Sequence, residues 1–234
     1  MSAREERLCV ALDFGTRADV LAAARRFGPR AAWLKVGLEA FVAGGPSLVK
    51  EVADTGARVF LDLKFHDIPR TVAGAVASAA RTGAAMVNVH AAGGRNMLQA
   101  ARQAAENGGI KLVAVTLLTS LDARALADLP IAGHPEGIAR RLALLSKDCG
   151  SDGVVCSARE LPEIRGACGP DFFTVVPGIR PAGSGDDDQK RIAAPAAALR
   201  AGADLLVVGR PITAAADPDA AFEAVLAEMR SVPP

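Results

Sequence analysis

Short apolar runs alternate with Ala-rich segments of helical period along the entire chain, the pattern of a parallel sheet with helical crossovers. The runs number eight: Cys9–Phe14, Trp33–Val36, Val59–Phe65, Met86–His90, Leu112–Leu117, Gly153–Cys156, Phe173–Val176 and Leu205–Val208. Between them the spacing predicts helices over Ala18–Phe27, Pro46–Thr55, Thr71–Arg81, Met97–Asn107 and Glu136–Asp148, several followed by Gly as helices tend to be. Eight βα units with no second composition regime predict an α/β fold. The expected form is a (β/α)8 TIM barrel, one domain over residues 1–234, with the charged residues 1–7 expected as a flexible start. The segment Leu121–Pro135 exceeds a minimal βα loop and has room for a short helix over the mouth.

In such a barrel the active site lies at the C-terminal ends of the strands, so polar residues there carry a functional meaning. The third run reads Phe60-Leu-Asp62-Leu-Lys64-Phe-His-Asp67-Ile-Pro69. Side chains two apart on a strand share a face, so Asp62 and Lys64 point the same way. Asp67 falls just past the strand, where Pro69 forbids simple continuation. His66 turns to the opposite face if the strand continues. A structural salt bridge would explain Asp-x-Lys alone; the wider constellation is more specific. Asp13 ends the first strand, Lys35 sits in the second with Trp33 on the same face, and His90 ends the fourth, as an organiser of the mouth or a structural histidine. The fifth strand runs into Thr119-Ser120. The seventh and eighth run into Pro177-Gly-Ile-Arg180 and Gly209-Arg210, the positions where barrels commonly hold a phosphate. The polar loop from Pro181 to Gln189 has the composition of a segment that folds over a ligand. Its three aspartates, 186–188, read as a solvated face and not a metal site.

Bulk properties narrow the partner. The chain has 27 basic and 26 acidic side chains, a net charge of +1, so no field attracts a nucleic acid or a membrane surface, and a small molecule is expected. No apolar stretch is long enough to span a bilayer, and the charged start followed by Asp13 does not resemble a signal peptide. Cys9, Cys149, Cys156 and Cys168 lack paired metal-ligand spacing and read as reduced thiols of a cytoplasmic protein.

Together these residues resemble the orotidine 5′-phosphate decarboxylase family, from the first strand to the eighth. The family signature, Asp-x-Lys-x-x-Asp followed by Ile-Pro and Thr, stands as Asp62-Leu-Lys64-Phe-His-Asp67-Ile68-Pro69-Arg-Thr71. Its other ligand-binding elements stand as Ala-Leu-Asp13, Leu-Lys35-Val-Gly, Asn-Val-His90, Leu-Thr119-Ser, Pro177-Gly-Ile-Arg180, Gln189 and Val-Gly209-Arg210. The resemblance implies conversion of orotidine 5′-phosphate to UMP with no cofactor and no metal. Lys64 would protonate C6, Asp62 would lie beside the departing carboxylate, and Lys35 would tie the charges together. Asp13 and Lys35 would contact the ribose, Thr119 the pyrimidine, and Pro177, Arg180, Gln189, Gly209 and Arg210 the phosphate end. Asp67 and Thr71 would come from the other subunit of a homodimer. A rival resembles 3-keto-L-gulonate 6-phosphate decarboxylase, which shares the Asp-x-Lys-x-x-Asp row but uses magnesium held by a Glu where this chain has Lys35. A catalytically silent nucleotide-binding barrel would be free to lose Lys64 or Asp62, and both are present.

Overall fold

The computed structural model describes residues 5–128, 130–181 and 192–232. Eight parallel strands close into a barrel in sequence order: β1 (Leu8–Ala11), β2 (Trp33–Gly37), β3 (Arg58–Phe65), β4 (Met86–His90), β5 (Lys111–Val115), β6 (Gly153–Val155), β7 (Phe173–Val176) and β8 (Leu205–Val208). β1 pairs with both β2 and β8, so no strand edge is left unpaired. Inside the barrel Cys9, Trp33, Phe60, Met86, Val113, Val175 and Leu205 form an apolar plug. The outward faces of the strands pack against the helices in a larger core that includes Leu34, Val36, Leu61, Val87 and Phe222. Burial on both faces is what makes the strands read as continuous apolar runs.

Several boundaries differ from the sequence expectation. β1 stops at Ala11 and β5 at Val115; the apolar Leu12 and Leu117 that extended both runs are buried in the connections beyond the ladder. The helix after β2 starts at Leu38 and continues to Ala53, interrupted at Gly45 (φ 65°) before Pro46. Only its second half had a start signal, the proline at a first helical position. Residues 5–7 form a short 3-10 turn in which Arg7 donates to the carbonyls of Ala203 and Asp204. A four-residue helix, Ala123–Leu126, stands in the long segment after β5. Among the described residues no helix is long and apolar enough to cross a membrane.

Candidate active site

The upper layer of the barrel interior changes from apolar to charged. Lys35 on β2 is 8% exposed, donates from Nζ to Asp13 Oδ1 at 2.7 Å, and lies 3.4 Å from Asp62 Oδ2. Lys64 Nζ donates to Asp62 Oδ1 at 2.7 Å. Asp62 thus stands between two ammonium groups, in a row of alternating sign that starts at Asp13. Burial pushes the Asp62 carboxyl up, but Lys35, Lys64 and hydrogen bonds from Lys64 and Asn88 outweigh it and hold it below the usual carboxylate range. Burial likewise pulls Lys35 down, and Asp62 and Asp13 reverse this and lift it above an ordinary lysine. Beneath them Cys9 is fully buried, and that burial pushes its thiol far up, out of the thiolate range.

Local backbone geometry sets these positions. Lys64 has φ 51°, the left-handed region, and is alone among the described non-glycine residues in having a positive φ. There the β3–β4 register slips: Leu61 pairs with Val87 but Phe65 with Val89, so four steps along β3 match two along β4. At the end of β2 the chain passes close to its own charges. A Cβ at Gly37 would stand 2.8 Å from both Asp13 Oδ1 and Lys35 Nζ.

The charged row forms one wall of a cavity of about 610 Å³, a volume suited to a nucleotide-sized ligand. Thr119 and Ser120 line it after β5, Pro177 and Arg180 after β7, and Gly209 and Arg210 after β8. Arg180 is placed by a bridge between Ile179 and Ala193, with its N–H donating to the Ala193 carbonyl at 2.9 Å. The structure therefore brings together Asp13, Lys35, Asp62, Lys64, Thr119, Pro177, Arg180, Gly209 and Arg210. Gln189 and the aspartates 186–188 lie outside the described residues.

Asp67 and Thr71 do not line this cavity. Both are exposed; Asp67 Oδ1 accepts from the Ile68 N–H at 2.6 Å, and Thr71 stands in the first turn of the helix Pro69–Ala80. Ile68 (67% exposed), Leu38 (55%) and Val42 (83%) add apolar surface to the connections after β2 and β3. The strand ends at Phe65, and His66, expected on the far face of a continued strand, instead packs its ring 5.5 Å from that of His90. Burial, with His66 and Lys64 nearby, lowers His90 below an ordinary histidine, so it is neutral at pH 7. Sequence reasoning gave no role to Asn88, buried on β4 against Asp62, or to Glu39 at the cavity mouth. The signals for Asn88 were its place in the family element Asn-Val-His90 and an amide in the middle of Met86-Val-Asn-Val-His90, otherwise an apolar run.

Comparison with known proteins agrees with this geometry. The profile of the "Orotidine 5′-phosphate decarboxylase / HUMPS family" matches residues 6–225. An orotidine 5′-phosphate decarboxylase of Anaeromyxobacter sp. (strain K) is 53% identical over 222 residues, covering 95% of this chain and 97% of that protein. One from Nitrosospira multiformis is 51% identical over 214 residues, covering 92% and 90%. The crystal structure of orotidine 5′-phosphate decarboxylase from Lactobacillus acidophilus superposes with a TM-score of 0.85 at 35% identity, covering 96% of this chain and 99% of that one.

Proposed function

Since this chain belongs to the orotidine 5′-phosphate decarboxylase / HUMPS family and carries the decarboxylase activity of pyrimidine biosynthesis, we propose that its reaction needs no cofactor and that Lys64 protonates C6 as carbon dioxide leaves. The observation that carries this reading is the pair of ammonium groups flanking Asp62 in a cavity that Arg180 and Arg210 also line. Loss of carbon dioxide from C6 leaves an electron pair in an sp² orbital that the ring cannot delocalise, so the developing charge must be met locally. An ammonium held at that carbon stabilises the charge and then supplies the proton. Asp62, ionised by its neighbours, holds Lys64 in place and lies beside the substrate carboxylate. Lys35 and Asp13 reach the ribose hydroxyls and Thr119 the pyrimidine. Pro177, Arg180, Gly209 and Arg210, with Gln189, hold the phosphate, far from the reacting carbon, so that its binding assembles the charged site. A magnesium-enediolate mechanism would set a divalent cation against the Lys35 ammonium, which repels it.

Turnover of orotidine 5′-phosphate, followed by loss of the orotate absorbance, is expected to be undiminished in excess chelator. Activity lost in chelator and restored by magnesium would overturn the reading in favour of the metal-dependent branch.

The site is also proposed to be shared in a two-fold homodimer. Its support is that Asp67 and Thr71 are exposed and outside their own chain's cavity, beside the exposed apolar Ile68. Lys64→Ala and Asp67→Ala, each nearly inactive alone, leave one intact site in every mixed dimer. After subunit exchange of equal amounts, about a quarter of wild-type activity should return, because half the dimers are mixed and each has one good site of two. Demonstrated exchange with no recovery would place Asp67 within its own chain's site.

A further inference from the structure

We infer that Asn88 is a positioning residue for the reaction: its buried side-chain amide fixes both the left-handed backbone of Lys64 and the carboxylate of Asp62. The amide fills the gap that the register slip opens between β3 and β4. Its Oδ1 accepts the Lys64 backbone N–H at 2.8 Å, and its Nδ2 donates to Asp62 Oδ1 at 2.6 Å, the same oxygen that receives the Lys64 ammonium. The orientation of the amide is forced, since a backbone N–H only donates and a carboxylate only accepts. One fully buried group thus replaces the missing ladder bond and holds the proton donor at both ends, its backbone directly and its ammonium through Asp62. A non-glycine residue at positive φ is strained and persists only where the surroundings over-determine it. At Lys64 the over-determining contact is Asn88.

The inference rests on the role proposed for Lys64, and the test separates the two. Asn88→Asp keeps the shape and the acceptor for the Lys64 N–H but sets a second carboxyl against Asp62. The charged groups facing that carboxyl are Asp62 and Lys64 from β3 and Lys35 from β2, with His90 and His66 at the rim. Protonated, it donates to Asp62 as the amide does; ionised, it repels Asp62 and releases Lys64. With wild type active on orotidine 5′-phosphate, kcat of Asn88→Asp should fall about 100-fold at pH 8, the scale of an ångström-sized misplacement, while UMP affinity stays near wild type. The ratio of its kcat to that of wild type should climb as the pH is lowered toward 5. Asn88→Ala, which restores neither bond, should lose kcat to a similar extent with no such recovery. A pH-independent ratio, a loss confined to KM, near-normal kcat in a folded Asn88→Ala, or failure of both variants to fold would overturn the inference and assign Asn88 to stability. Inactive wild type would instead sink the reading of the site itself.

Discussion

At the mouth of the barrel, Asp62 joins two ammonium groups that still face an open cavity, whereas near the opposite end Arg165 directs every donor into its own chain. Its guanidinium bonds the carbonyls of Gly202, Pro170 and Phe172, the Thr174 hydroxyl and the Asp204 carboxylate. Asp204 also accepts the Thr174 N–H at 2.7 Å, so the clip locks β7 to the loop before β8. Nearby, cations cap the plug: Arg58 lies 4.6 Å from the Trp33 ring centroid and Lys111 4.8 Å from that of Phe173. Both ends are rich in charge, and what distinguishes them is unused bonding capacity. The Lys64 side chain remains 28% exposed toward the cavity, while Arg165 has no donor left to offer a ligand.

That contrast breaks most visibly at Lys64. Lys64→Ala should lower turnover by at least about 1,000-fold while the thermal midpoint moves by only a few degrees and UMP still binds, because the other contacts come from other strands. A folded variant with near-normal turnover would end the distinction between the two ends. The reciprocal change, Arg165→Ala, should cost about 2–3 kcal/mol in denaturant unfolding, since it leaves the partly buried Asp204 carboxylate without its cation, yet leave kcat per folded molecule unchanged. A large kcat loss there, with stability intact, would mean that the closed end feeds the chemistry.

The smallest expected effect is on acid stability. Asp62 is held below its ordinary value in the folded chain. It therefore adds stability above the ordinary carboxylate range, and this is lost as pH falls through its lowered folded value. Lys35 is raised, so its contribution is complete below the ordinary lysine range and is lost only as pH rises through its higher folded value. Between about pH 4 and pH 10 the pair adds no slope. Below about pH 4 the melting temperature of Asp62→Asn should fall less steeply than that of wild type, measured by thermal scans across the acid range. Parallel acid limbs would show that other groups dominate acid unfolding.

The barrel was legible because its strands are buried on both faces and a segment of helical period follows each of the first five. The charged row was legible for the same reason: Lys35, Asp62 and Lys64 are charges inside apolar runs, where a charge needs a partner. The slip at Lys64 was not, because alternation assumes an unbroken ladder, and residue spacing says nothing of a backbone turned left-handed by a neighbour's side chain. The role of Asn88 was missed through the same assumption, since its partners lie 24 and 26 positions away on another strand. His66 was misplaced because the strand stops one residue before it.

Gly37 has an ordinary backbone, with φ −90° open to any residue, and yet a methyl group there would occupy the space in which Lys35 meets Asp13. The codon for residue 37 is therefore constrained by the volume of an ion pair and not by torsion. In a genetic selection for pyrimidine prototrophy, even alanine at this position would be counted among the disruptive alleles, although a table of backbone preferences would score it as harmless.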